Sequence, residues 1–208
     1  MLTPKFFQDN GFIVASKMLN GDLLKFVGIH AYNIARIEGV RLKPDGTIDD
    51  TQVPNTPSFY DDFVMANLHD FLLPKMEQYT GLKLLPTYTY FRVYKKGDVL
   101  EKHKDRPSCE ISVTLCLRRK QEEKIWPIFI ENKDYKSKRN LQNSYTARAM
   151  LEEGDGLIYR GCECTHWRDK FEDCTKLAQV FMHYVDANGP NAEWKNDKKE
   201  NKYFAQEK

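Results

Sequence analysis

The spacing of apolar positions changes character near residue 81. From Asp22 to about Ile37, Leu24, Val27, Ala31 and Ile34 recur at helical spacing, Leu23 and Phe26 widen the stripe, and Gly39 stands beyond as a stop. A second helix is expected from Thr56 as N-cap and Pro57 at the first helical position, with Phe63, Leu68, Phe71, Leu72 and Met76 on its apolar side. Pro74 should kink it and Gly81 end it. Before these, Gly11–Ser16 reads as an opening strand. Between them, residues 41–56 are polar, turn-rich and aperiodic, the pattern of a disordered loop or a functional lid.

After Gly81 the helical period is lost. Residues 82–94 are dense in Leu, Thr, Tyr, Phe and Val, and short strand candidates follow at 99–105, 110–117, 125–130, 148–151, 156–159 and 175–185. Turn or charge-rich pieces separate them. Many short strands with such connections argue a sandwich or barrel rather than alternating βα units. The expected fold is mainly β with flanking helices: one domain over residues 1–186, in which N-terminal helices (20–80) brace a β core (82–186). Residues 187–208 form a polar tail with too few apolar side chains to pack firmly.

Composition narrows the classes. The chain has 32 basic and 30 acidic residues, which argues against a partner chosen by bulk charge, such as nucleic acid or a membrane surface. No apolar run approaches a bilayer span. The N-terminus lacks the charged and apolar regions of a signal peptide, and the five cysteines are odd in number and clustered late in the chain. The expectation is reduced thiols in a cytoplasm.

Candidate chemistry begins at Tyr94–Asp105. A strand presents His103 and Asp105 on one face, offering two of the three ligands of a facial two-histidine, one-carboxylate iron site. His166, just past a Gly-Asp turn, a strand and a Gly turn, is positioned to be the third. Lys176 follows ten residues later in an apolar strand with no acidic residue alternating with it. A buried ammonium needs an anionic partner, and an anionic ligand would supply one.

Tyr94-x-x-Gly97, His103-x-Asp105, Gly154-Asp155, His166 and Lys176 together resemble the 2-oxoglutarate- and Fe(II)-dependent oxygenases, most of all their prolyl 4-hydroxylase branch. The resemblance covers roughly residues 84–186. It implies a double-stranded β-helix (jelly-roll) core with iron held by His103, Asp105 and His166. It also implies that Lys176, helped by the Tyr94 hydroxyl, grips the distal carboxylate of 2-oxoglutarate. The implied reaction consumes O2 and 2-oxoglutarate, releases succinate and CO2, and hydroxylates an unactivated C–H bond, with ascorbate as a candidate reductant.

Several alternatives stay open. His103 and Asp105 could be a polar surface pair, and Cys162-x-Cys164-x-His166 could be read as zinc ligands, although a second pair is missing. A cupin-like metalloenzyme without a keto acid and a non-catalytic binding relative are rival functions. Arg92 and Tyr90 share the Tyr94 strand face and are candidate substrate residues, as are Arg106 and Arg168, each near an iron ligand. Collagen-type prolyl hydroxylases have tyrosine where this chain has Leu100, and often a basic residue where it has Cys109 and Glu110. Peptidyl proline is the expected substrate, with a free amino acid, another protein side chain or a small metabolite as alternatives.

Overall fold

A computed structural model describes residues 4–37, 52–120, 124–133, 145–172 and 175–199. Two helices precede the β-rich half, as the periodicity predicts, and a short one precedes both. They are α1 (Pro4–Asn10), α2 (Gly21–Ile37) and α3 (Phe63–Thr80). Gly81 ends α3 in a left-handed conformation (φ 70°), donating its N–H to the Glu77 carbonyl. The start of α3 differs from expectation. Thr56 and Pro57 lead into a short strand, β2 (Ser58–Tyr60), because the Pro57 carbonyl accepts the Val93 N–H. Asp62 is the true N-cap, its carboxylate accepting the Val64 and Met65 N–H groups. Pro74 lies within the helix. Gly39 and residues 41–51 of the polar loop lie outside the described residues. The described end of that loop is tucked in, with Val53 1 % exposed.

Among the described residues, ten strands form two antiparallel sheets. They are β1 (Phe12–Ala15), β2, β3 (Leu84–Lys95), β4 (Leu100–His103), β5 (Ile111–Arg119), β6 (Ile128–Glu131), β7 (Thr146–Ala149), β8 (Gly156–Arg160), β9 (Thr165–Arg168) and β10 (Lys176–Asp186). The larger sheet runs β1-β8-β5-β10-β3-β2 and the smaller β4-β9-β6-β7. The sequence pattern missed α1, β2 and β9. The last is only four residues long and sits among Cys, Thr and Trp without clean alternation.

Two cores result. On the helix side of the larger sheet, Ala178, Val180, Met182 and Tyr184 of β10 pack with Leu72 and Met76 of α3. Between the sheets, Leu177 and Phe181 join Tyr94, Leu100, Ile130 and Tyr159. Both faces of β10 are thereby buried, which holds the sheets in a jelly roll braced by helices. No helix among the described residues is long and apolar enough to cross a membrane.

The tail departs from expectation. Residues 192–198 fold back beside β3 in a 3-10 segment, and Asp197 forms an ion pair with Arg106, Nη1 to Oδ1 3.0 Å.

Candidate metal centre and its cavity

The smaller sheet builds the site. β4 pairs with β9 so that His103 lies directly opposite His166. Asp105 follows two residues beyond His103, where its N–H donates to the Gly161 carbonyl at 2.9 Å. A side chain at Gly161 would collide with this arrangement, since its Cβ would lie 2.3 Å from the Cys109 carbonyl oxygen and 2.4 Å from Asp105 Oδ2. Glycine is what lets the β8–β9 turn pass under the carboxylate.

The donor atoms converge. His103 Nε2 and His166 Nε2 are each 3.6 Å from Asp105 Oδ1, and the three donors lie within 4.8 Å of one another. Each imidazole has its other nitrogen against a main-chain carbonyl: His103 Nδ1 2.8 Å from the Glu101 oxygen, His166 Nδ1 3.1 Å from that of Cys164. Nδ1–H donates there, which leaves both Nε2 lone pairs aimed at the centre, the usual arrangement around a metal-binding histidine. Burial holds His166 neutral, lowering it to about 4, and lowers His103 too, with His166 adding to the effect. Burial also pushes Asp105 up to about 6, against the pull of His103, Ser112 and Arg106. A carboxylate that is costly to charge in the free protein is well placed to gain from a cation. Two neutral imidazoles and one carboxylate on one side of an open position fit Fe(II).

A second convergent set, Asp105, Cys109 and His183, is a poorer candidate. Burial pushes the Cys109 thiol up to about 12, and its Sγ lies 3.1 Å from the Tyr88 hydroxyl. His183 Nδ1 is engaged with Ser112 Oγ at 2.8 Å.

The three donors open on a cavity of about 400 Å³. Tyr88, Tyr90 and Arg92 of β3 and Phe181 and His183 of β10 form one wall, with Gln52, Lys104 and Arg106 also lining it. Of the candidate substrate residues, Arg92, Tyr90 and Arg106 therefore meet at the cavity. Arg92 is 1 % exposed, donates to the Tyr94 hydroxyl at 3.1 Å, and stands 5.3 Å from the Tyr90 ring. Tyr94 is fully buried and does not itself line the cavity; it touches it through Arg92. Arg168 lies elsewhere: buried, it donates to the Trp126 carbonyl at 2.6 Å and to Gln179 Oε1 at 3.0 Å, clamping β9 to β10 and to the segment before β6.

Lys176 is not buried, as its place in an apolar strand had suggested. It is the first residue of β10, exposed, and does not line the cavity of the metal donors. An ammonium exposed at a strand end is satisfied by water and needs no anionic partner. Strand alternation puts Lys176 and His183 on opposite faces of β10, and His183 is the one that faces the cavity. β10 pairs Phe181 with Tyr90 and His183 with Tyr88, and these four side chains share the cavity wall. The two helix histidines are structural: His30 Nε2 is 2.9 Å from Asp62 Oδ1, and His69 Nε2 is 2.9 Å from the His183 carbonyl. Cys162 and Cys164 are free thiols, the latter buried against the Gly11 carbonyl.

No protein-family model and no curated protein matches the sequence. Solved structures do match the fold. The non-heme α-ketoglutarate-dependent epimerase SnoN from nogalamycin biosynthesis superposes with a TM-score of 0.69 at 10 % identity, over 89 % of this chain and 81 % of that one. A prolyl 4-hydroxylase from Pseudomonas putida gives 0.65 at 12 % identity, over 89 % and 99 %. EctD from S. alaskensis with bound Fe gives 0.64 at 16 % identity, over 88 % and 75 %. The chain has the double-stranded β-helix fold of the 2-oxoglutarate- and Fe(II)-dependent oxygenases, the superfamily its motifs resemble.

Proposed function

We propose that this protein is an Fe(II)- and 2-oxoglutarate-dependent oxygenase, with His103, Asp105 and His166 as the metal ligands. The observation that carries the reading is the convergence of those three donors on a cavity that also holds a buried guanidinium, Arg92. Bound Fe(II), with 2-oxoglutarate and O2, supplies the oxidation of an unactivated C–H bond, yielding succinate and CO2. The protein's share is placement. His103 and His166 stay neutral through burial, and their main-chain hydrogen bonds fix the ring planes. Arg92, held by the Tyr94 hydroxyl and flanked by Tyr90 and Phe181, takes the distal carboxylate of 2-oxoglutarate in the role expected of Lys176. A planar guanidinium fork suits that task. Tyr88, Tyr90 and Phe181 wall the cavity with apolar surface and limit water.

Peptidyl proline is the first substrate reading. It draws support from the fold shared with the P. putida prolyl 4-hydroxylase and with a Trichoplax adhaerens prolyl hydroxylase in complex with a peptide fragment. Oxidation of a small acid is the second, favoured by Lys104 and Arg106 on the cavity lining. Anaerobic addition of Fe(II) and 2-oxoglutarate should give a visible charge-transfer band; its absence sinks the oxygenase reading and leaves the cupin-like one. Turnover with ascorbate as reductant, followed by a mass-spectrometric search for a gain of about 16 daltons, separates proline-containing peptides from small acids.

A further inference from the structure

Arg106 directly follows the ligand Asp105 and lines the same cavity. Its guanidinium stacks on Tyr88, 4.7 Å from the ring centroid, so its plane is fixed. Facing it is Asp197, from the C-terminal segment: Arg106 Nη1 lies 3.0 Å from Oδ1 and Nη2 donates to Oδ2 at 3.1 Å. The carboxylate is thus held by one charge-assisted hydrogen bond and a close ion pair, the kind of contact with which arginine recognises an anion. Asp197 also accepts the Tyr60 hydroxyl at 2.7 Å, and Tyr60 stacks on Tyr88 at 5.0 Å.

The carboxylate is delivered at a conformational cost. Asn196, Asp197 and Lys198 have φ of 52°, 52° and 58°, three successive non-glycine residues in the left-handed region. L-residues visit that region singly, with Asn and Asp the most tolerant. Such a run persists only where its contacts hold it: Lys198 is held within the segment by Glu193 and Trp194, and the ties to the rest of the protein are Arg106, Tyr60 and, through Lys199, Asp61. Without the Arg106 contact, the segment is tied to the barrel only through Tyr60 and Asp61.

We infer that Arg106 is the receptor for a carboxylate of the oxidised substrate, and that Asp197 holds its place until the substrate arrives. The inference rests on the oxygenase reading only for the word substrate; the carboxylate exchange itself needs neither metal nor turnover. A carboxylate on Arg106 would sit one residue from the metal ligand, which ties the site to acids whose reacting carbon is near the charged group. That carboxylate could belong to a free acid or to a peptide C-terminus.

The test uses the full-length chain, anaerobic, with Fe(II) and saturating 2-oxoglutarate so that the Arg92 position is filled. Probes are matched acid and amide pairs: L-proline with L-prolinamide, benzoate with benzamide, and a proline-containing pentapeptide with free or amidated C-terminus. Trypsin cleavage after Lys195, Lys198 and Lys199 reports release of the segment, and calorimetry reports binding. For the unaltered protein, one or more acids should accelerate cleavage several-fold while their amides do not. Asp197→Asn should be cleaved rapidly without any probe and bind the effective acid about tenfold more tightly, because the internal competitor is gone. Arg106→Gln should be cleaved rapidly and bind neither member of a pair. If every acid behaves like its amide, or if Asp197→Asn releases the segment without tightening acid binding, the ion pair is only a structural clamp and the proposal is overturned. A missing charge-transfer band with intact acid-selective release would instead remove the oxygenase reading alone. Which pair responds, the free acids or the peptide, identifies the source of the carboxylate.

Discussion

His103 and His166 face each other across the β4–β9 pairing with ring centroids 4.2 Å apart, and both present Nε2 to the same Asp105 oxygen. Two imidazoles in such proximity, with the rest of their polar atoms bonded to main chain, have a purpose only if something shares the space between them. His103→Ala or Asp105→Asn should lower Fe(II) affinity by more than about 100-fold, since even outer partners of metal ligands are worth 10–100-fold. Equilibrium dialysis measures this directly. The thermal stabilisation that Fe(II) gives the unaltered protein should vanish with it.

Asp105 links metal binding to pH. Burial raises its folded value to about 6, above the unfolded value near 3.8. In the metal-free protein, its contribution to stability is therefore full below about pH 4 and lost as pH rises through 6. A bound cation offsets that loss, and proton and metal compete for the carboxylate. The rise in Tm on adding Fe(II) should be small at pH 5 and large at pH 7, with affinity falling about tenfold per pH unit on the acid side. An increment that does not change between those two values would mean that Asp105 is not a ligand.

Arg92 and Lys176 make opposite predictions for the cosubstrate. Arg92→Gln should weaken 2-oxoglutarate binding by roughly 10–100-fold, the worth of a charge-assisted hydrogen bond, while Fe(II) binding persists. Lys176→Ala, altering an exposed strand end, should leave both unchanged. Titrating the visible band with 2-oxoglutarate distinguishes them. The reverse result would return the anchor to Lys176.

Gly161 is the least tolerant backbone position beside the metal donors. Gly161→Ala puts a methyl within 2.4 Å of the Cys109 carbonyl oxygen and of Asp105 Oδ2. Neither can yield without moving a ligand, so a loss of about 1–3 kcal/mol in unfolding free energy is expected, with a parallel loss of Fe(II) affinity. Denaturant unfolding and dialysis on the same variant check both.

His69 sets a second pH dependence. It is 4 % exposed, and burial lowers it to about 4 from an ordinary value of 6.5. A depressed histidine contributes stability that is full above its unfolded value and lost as pH falls through the folded one. Between pH 6.5 and 4, His69 should remove up to about 1.4 kcal/mol per pH unit. His69→Gln should flatten that part of the pH–stability curve.

Much of the fold was legible because its signals are local. The 3.6-residue period marks α2 and α3, and Gly81 ends α3 because glycine alone takes φ 70° without strain. The His103-x-Asp105 pair was legible as a motif, although β4 ends at His103 and a bond to the Gly161 carbonyl, rather than strand alternation, places Asp105. The N-cap of α3 was misplaced because Thr56-Pro57 carries a sound local signal, and a non-local bond from Val93 N–H to the Pro57 carbonyl draws those residues to the sheet. The order of the tail is missed for a related reason: composition counts apolar residues, whereas residues 192–199 are held by ion pairs and by a lysine over the Tyr60 ring.

The sequence by itself determined that Lys176 and His183 lie on opposite faces of one strand, and that His103, Asp105 and His166 are the donors to consider. Only the tertiary structure decided which face of β10 looks into the barrel. The reason is physical: α2 and α3 cover one face of the larger sheet while the smaller sheet covers the other, so nine of the eleven β10 residues are buried and hydrophobicity carries no inside or outside mark. Pairing with β3, Gln179 to Arg92 and His183 to Tyr88, made the choice. It placed Arg92 at the cavity and turned Lys176 out to water.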